Sequence, residues 1–588
     1  MSVKRKAWLA KSWGIFLFAL FSLSVLRGTS EALPETRSGM SWSSLRMMAI
    51  QDQGRIKPFD SFAAETLLFV SGKRSWKGLS AVECMMSWLT EFEPYWLDEP
   101  LVRIDFLELR RQMLGAAFAT HSAFFSVREL RENEAFKKNA QSTGVKLSQK
   151  EVLSPLDKKI IEVENKLGLI LSVVSGDAWN LFPNPKLQEA PWENLGALNQ
   201  SDSLERLQRF GISPDQQVKL REYVQAWLRS FSQNNAQRWA TAQSDLSNYL
   251  RTVYGKTGDS ESAHLYPSTN ALRWEVFYNH ARAFHWAWML YFLSVLCLAL
   301  SFLSYQRVFS MAGLGIFSVA FFLHAGGFLL RCYIAGRPPV TNMFESVIWV
   351  SWGCALFSLV LFRVYKLHVI PLAGGVFATV ALILADNLPN VLDPTIHPLE
   401  PVLRSNFWLT IHVLTITLSY AAFALSLCLG NAVLFQYVAF PRRQERIQQF
   451  SLMMYRAEQI GVVLLALGTI LGGVWADYSW GRFWGWDPKE VWALAALLLY
   501  LAVLHGRFTG WLYGFGFVVG TVLAFMGVLM AWYGVNFVLG VGLHSYGFGS
   551  GGITYVLGYV FLQLSFIGIA WYRQDPKSKR VPVFPRRK

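Results

Sequence analysis

Nine apolar segments constrain this chain more than any other feature. They fall at roughly 288–304, 308–330, 344–364, 369–386, 408–438, 459–475, 489–505, 512–533 and 553–572. About twenty apolar residues in a helix match the roughly 30 Å hydrocarbon core of a bilayer. Inside lipid a backbone must satisfy its own hydrogen bonds, which a helix does. The expected fold is an all-α polytopic membrane protein with about nine transmembrane helices. Composition agrees, with 53% hydrophobic and 16% charged residues among 588. In a soluble protein the net charge of +15 would suggest nucleic acid. Here it follows from cytoplasmic loops and a basic tail, and no nucleic-acid partner is expected.

Charge and polarity divide the chain further. Residues 1–32 carry Lys4, Arg5 and Lys6 before an apolar run at 13–26, the pattern of a signal peptide or signal anchor. Ser30-Glu31-Ala32 is a weak cleavage site, and with or without cleavage the following segment is exported. Residues 33–283 have mixed polarity and no long apolar run, and read as an exported, helix-rich domain on the periplasmic side. Within it, Ser213-Pro214 opens a long amphipathic helix to Tyr254, with room for one break, and 49–60 reads as a turn-rich loop. No catalytic constellation is evident there, and His121 and His264 read as surface histidines. Residues 284–573 form the transmembrane domain and 574–588 a basic cytoplasmic tail. Arg307, then Arg363 and Lys366, then Arg442, Arg443, Arg446 and Arg456, then Arg507, fall on one side. That side is the cytoplasm of a bacterial inner membrane if 33–283 is outside, in agreement with the export signal.

Five tryptophans crowd into 475–492, with glycine, arginine and carboxylates between them. Asp487 followed by Pro488 reads as a helix start, an N-cap before a residue with no N–H to lose. WGRFWGWD (480–487) is then a tight loop joining two spans on the exported side. An interfacial aromatic belt is one reading, but a belt scatters its tryptophans over many helix ends. The other is a flat apolar platform for a large planar ligand, with Trp480, Trp484, Trp486, Arg482 and Asp487 around it.

Two histidines lie level with this loop: His412, near the outer end of its span, and His544, in the outer loop 541–548. Imidazoles flanking an aromatic platform are what bis-axial ligation of haem iron requires; zinc fits less well, because no cysteine or third ligand is obvious. His505 ends the span that Pro488 opens, and seventeen residues at 1.5 Å rise is about 25 Å, so it belongs near the cytoplasmic face. His368 begins another span at that level. Histidines in membranes are costly and mark function by default, the alternative being satisfied helix-end residues. His324 sits among small residues suited either to ligation or to plain helix packing, and His397 reads as solvated or structural. Arg331, Arg337 and Arg482 lie on the outer side, against the general charge rule, suited to ligand carboxylates or to lipid headgroups. The five cysteines include no CxxC pair, so any thiol chemistry belongs to a partner.

WGRFWGWDPKEVWAL (480–494), Gly542-Leu-His-Ser-Tyr-Gly547, Trp408-Leu-Thr-Ile-His-Val413 with Ser419-Tyr-Ala-Ala-Phe423, and Gly336-Arg-Pro-Pro-Val-Thr-Asn-Met-Phe-Glu-Ser346 occur in matching order across roughly 310–572. Together they resemble the CcsA (ResC) family of System II cytochrome c biogenesis, with its tryptophan-rich WWD motif. System I haem-handling proteins share a tryptophan-rich loop but lack the WDPKE continuation with the LHSYG loop. The resemblance implies a haem lyase subunit that works with a CcsB/ResB-like membrane protein. It would export haem b and attach it to the CxxCH of apocytochrome c, with a thiol-reducing partner nearby. By motif position His412 and His544 match the external haem ligands, and His505 the transmembrane histidine of the entry path. In the family the second transmembrane ligand comes from the CcsB portion, which is not evident here; a separate CcsB or His368 would supply it. A haem transporter without synthase activity, or a b-haem electron carrier, would need many of the same ligands.

Overall fold

The computed structural model describes residues 39–183, 191–199, 213–254, 266–303, 305–338, 340–389, 391–398, 406–539 and 552–574. The expected signal segment (1–32), the tail beyond 574, His264 and the loop with His544 lie outside them. Among the described residues, nine helices are long and apolar enough to cross a membrane: Thr269–Leu300, Gln306–Ala335, Met343–Tyr365, Val369–Asn387, Thr410–Ala439, Gln444–Trp480, Pro488–Thr509, Gly514–Leu539 and Ile553–Arg573. The chain is an all-α, multi-pass membrane protein.

Ahead of the bundle lies a helical region whose core is aromatic. Trp88, Trp179, Trp227, Trp239, Phe59 and Phe62 are among its fully buried side chains, each worth about 1.5–3 kcal/mol on burial for a residue of this size. The helix starts follow from capping chemistry. Ser154 and Ser213 each precede a proline and form capping boxes with Asp157 and Gln216, satisfying amide groups that the first turn cannot. The stretch 214–254 has the one break allowed for, between Pro214–Ser232 and Ala236–Tyr254, where Asn234 takes a left-handed φ of 51°, a conformation asparagine tolerates. The loop expected at 49–60 is corrected. Residues 49–58 are a β-hairpin, Ala49–Asp52 against Arg55–Pro58. Its two-residue turn, Gln53-Gly54, has φ of 50° and 77°, positive at both positions as a primed turn needs.

In the bundle, Thr410–Ala439 is the central helix, packed against Gln444–Trp480, Met343–Tyr365, Val369–Asn387, Gly514–Leu539 and Ile553–Arg573. Phe423 stacks on Tyr500 at 3.8 Å and 9°. A Cβ on Gly461 would come within 2.5 Å of the Phe423 ring, so glycine is what lets these helices approach. The apolar run at 459–475 is the second part of the 37-residue helix Gln444–Trp480. At 1.5 Å per residue that helix is about 55 Å long, so it extends well past a bilayer core.

The helical region is fastened to one end of the bundle, here the domain end. Arg331 is fully buried and its guanidinium is consumed by Glu345 at 2.8 Å, the Tyr278 hydroxyl at 3.1 Å, and the carbonyls of Pro394 and Thr395 at 2.8 and 3.0 Å. Arg337 donates to the His397 carbonyl at 2.6 Å. Arg55 forks onto Glu275 at 2.9 and 2.6 Å. Arg331 and Arg337 therefore brace loops. Bidentate and multi-acceptor geometry of this kind suits a planar guanidinium. The helix-end residues Arg307, Arg363 and Arg507 lie at the opposite, far end.

Candidate functional site

The tryptophan-rich loop closes over a cavity of about 190 Å3 at the domain end. Its organiser is Glu490. One carboxylate oxygen accepts the backbone N–H of Gly485 at 2.8 Å and of Asp487 at 3.2 Å. Asp487 in turn accepts from the Lys489 N–H at 3.0 Å, completing a capping box on Pro488–Thr509. The helix start and the loop are thus one hydrogen-bonded unit, which holds Trp486 at a φ of 55°. For a bulky residue that backbone is strained and needs such over-determination.

One wall of the cavity carries His412. It sits in a π-helical turn, Leu409–Val413, at the head of Leu414–Ala439; such turns re-aim side chains and recur at functional sites. Its Nδ1 lies 2.8 Å from the Gly468 carbonyl, an acceptor, so Nδ1 carries the proton and the lone pair is on Nε2. Metal-ligating histidines are held in this way, donating one ring N–H to a fixed acceptor that sets tautomer and orientation. Trp475 lies beside the ring, centroids 5.7 Å apart. Gly472 makes room for it, since a Cβ there would come within 2.6 Å of the His412 ring. Opposite, Trp532 donates to Ser346 at 2.8 Å, and Trp532 and Asn536 belong to a second π-helical stretch, Met530–Leu539.

Of the residues expected here, His412, Trp480 and Trp484 line the cavity. Asp487 is buried as the helix cap. Trp486 is 72% exposed and meets Trp484 edge to face at 6.0 Å. Arg482 folds back over Gly485 on the exposed surface of the loop. His544 lies outside the described residues. Lys489 is the one cation among the described lining residues. His505 is at the far end, exposed on the bundle surface, with Nδ1 2.7 Å from the Leu501 carbonyl. His368 stands at the N-cap position of Val369–Asn387 without a side-chain capping bond, and the helices of these two histidines pack on different neighbours, so the structure does not pair them. His324 is fully buried among Phe284 and Tyr291, in the helix-packing role. His397 is structural, bonded to Asp393 at 3.0 Å; that bond, after burial works against it, holds the Asp393 carboxyl below its ordinary value. His121 lies at the surface of the helical region, 3.5 Å from Glu129.

Among the described residues no group of three or more His, Cys, Asp or Glu could hold a bare metal ion, whereas a zinc site needs three or four such ligands. The donor set present is one oriented imidazole beside indole faces and an ammonium, which suits a planar metal complex that brings most of its own ligands. Sequence alone does not single out Gly468 and Gly472. Their signal is the glycine spacing opposite His412 on a neighbouring helix, visible only once the helices are paired.

Residues 340–544 match the family described as cytochrome C assembly protein, a range that includes the described cavity walls. Protein NrfI of Wolinella succinogenes is 30% identical over 511 residues, 84% of this chain and 53% of that protein. The chain therefore spans about half the length of this relative, and the match reaches past the bundle into the helical region. Cytochrome c biogenesis protein CcsA of Prochlorococcus marinus strain MIT 9303 is 34% identical over 254 residues, 37% of this chain and 79% of the relative. In strain MIT 9301 the figures are 35% over 252 residues. A membrane bundle of this kind, matched over most of the CcsA length, places the chain in the CcsA family of cytochrome c biogenesis proteins.

Proposed function

We propose that this protein holds haem b at the tryptophan-lined cavity, with His412 as an axial ligand, and promotes its thioether attachment to the CxxCH segment of apocytochrome c. The observation that carries this reading is the 2.8 Å bond from His412 Nδ1 to the Gly468 carbonyl, which presents Nε2 as the basic ring nitrogen. His544, the second external ligand by motif position, completes the axial pair. The cavity, about 190 Å3, is smaller than the roughly 300–1,000 Å3 of clefts that enclose a drug-sized ligand. A tetrapyrrole entering it is gripped by one edge, with Lys489 available to a propionate, and its vinyl edge stays accessible to the apocytochrome.

In the attachment step each cysteine S–H adds across a vinyl C=C. The sulfur forms the C–S bond, the proton goes to the other vinyl carbon, and nothing is oxidised or reduced. The protein contributes position, converting an encounter of two bodies into an effectively intramolecular reaction. The described cysteines are all unpaired in disulfides and none lines the cavity, so a separate partner keeps the apocytochrome thiols reduced. His505, exposed at the far end, suits an entry site completed by a CcsB/ResB-like membrane protein. The domain end then faces the periplasm of a bacterial inner membrane, and the basic far end the cytoplasm.

The test is the optical spectrum of the detergent-purified protein co-expressed with its CcsB-like partner, wild type beside His412→Ala. A bis-histidine b-type spectrum in the wild type, lost or oxidised in the variant and partly restored by imidazole, is expected. Unchanged haem content and spectrum in His412→Ala would overturn the assignment.

A further inference from the structure

A second polar cluster lies at the domain end, away from the tryptophan-lined cavity. Asp386, near the end of Val369–Asn387, faces Arg74, Arg282, His285 and Trp288. One carboxylate oxygen accepts from His285 Nδ1 at 2.6 Å and from Trp288 Nε1 at 3.3 Å. The other faces Arg74 at 3.9 Å and Arg282 at 3.8 Å, too far for hydrogen bonds. Among the described residues, neither guanidinium donates a hydrogen bond to an oxygen; Arg282 meets only the His285 ring, at 3.3 Å.

These groups border a cavity of about 100 Å3. Its other carboxylate, Glu65, is bonded to the buried Lys57, which also holds Asp52. Two guanidiniums thus face one carboxylate oxygen from beyond hydrogen-bond range, and their donors are left for another acceptor. Both arginine side chains are about half exposed, at 47% and 44%, so a ligand can reach them from outside. Arg282 is also held at φ 45°, a left-handed backbone that is unfavourable for a non-glycine residue.

The level of the cluster points to its ligand. Arg282 lies at the junction where Thr269–Ala281 passes into Ala283–Leu300. Around that junction Trp274, Phe277 and Trp286 are 47%, 54% and 53% exposed, the kind of aromatic edge that settles at lipid headgroups. We propose that Arg74 and Arg282 bind the phosphate of an anionic phospholipid, so that one lipid headgroup bridges the helical region and the bundle. Guanidinium forks match phosphate oxygens two at a time, and the acyl chains would lie along the exposed face of Ala283–Leu300.

The experiment uses the full-length protein, delipidated in detergent and titrated with phosphatidylglycerol, phosphatidylcholine or inorganic phosphate. Bound lipid is counted by native mass spectrometry, and melting temperature is followed in parallel. Phosphatidylglycerol should be retained and raise the melting temperature. In Arg74→Gln/Arg282→Gln its apparent affinity should fall roughly thirtyfold, given two basic side chains near an anionic headgroup. Arg74→Lys/Arg282→Lys keeps the charge and should recover part of the binding, which separates loss of the site from misfolding. Equal retention of phosphatidylglycerol by wild type and the glutamine variant would overturn the proposal, as would equal retention of phosphatidylcholine. Full protection by inorganic phosphate alone would replace the lipid with a free-phosphate site.

Discussion

Gly472→Ala should separate the proposed haem holding from fold stability. The new Cβ would stand 2.6 Å from His412 Cε1, 3.1 Å from Nδ1 and 3.2 Å from Nε2. Carbon atoms in good contact sit about 3.5–4.0 Å apart, so the ring must retreat by about 1 Å. The Nδ1 bond to the Gly468 carbonyl, now 2.8 Å, would then stretch to about 3.8 Å, beyond hydrogen-bond range. Metal–ligand distances tolerate only about 0.2 Å, and losing an outer-shell partner weakens metal affinity about 10–100-fold. Stability moves differently. Alanine for a helical glycine gains about 0.5–1 kcal/mol, and one lost hydrogen bond costs about 0.5–1.5 kcal/mol, so the two nearly cancel. The assay measures haem per polypeptide, the reduced-minus-oxidised spectrum and the melting temperature, with Gly326→Ala as the control because nothing lies within 4 Å of its added Cβ. Wild-type haem content and spectrum in Gly472→Ala would refute the reasoning.

Two further outcomes test the frame around the site. Arg331→Met strands Glu345, which is fully buried, and should cost about 3–5 kcal/mol; adding Glu345→Gln should recover much of it, and equal melting temperatures for the single and double variants would contradict this. The Asp157 carboxyl is held below its ordinary value by Ser154 first and then Lys146. A depressed folded-state pKa gives stability that is present above the unfolded value, about 3.9, and is lost as pH falls through the folded value. The melting-temperature gap between wild type and Asp157→Asn should therefore narrow below about pH 4, whereas a constant gap from pH 7 to pH 3 would count against the assignment.

The apolar runs were legible because lipid leaves helix as the main solution, so each run became one helix with ends shifted by a few residues or extended. Asp487-Pro488 was legible for a local reason, a cap followed by a residue without an N–H. The break at Asn234 and the hairpin turn at Gln53-Gly54 were harder to read, because asparagine, glutamine and glycine are also at home in helices or loops. His285 and Asp386 are about one hundred residues apart, and Arg331 finds two of its acceptors in the backbone of Pro394 and Thr395. Pairings across that distance leave no periodic trace. The tryptophans of the loop were visible as a cluster, but their division into lining Trp480 and Trp484 and exposed Trp486 follows the loop's folded path, in which Trp486 takes a positive φ.

The two π-helical stretches have a mechanical consequence. A wider turn spends more residues than an α-helix needs for the same rise, so Leu409–Val413 and Met530–Leu539 each carry slack. Taking up one surplus residue would advance the chain beyond it by about 1.5 Å and rotate it by about 100°, while the far end stays anchored in its packing. If the cavity between these walls holds haem as proposed, such a slip would turn His412 aside and open the cavity without any span leaving its place.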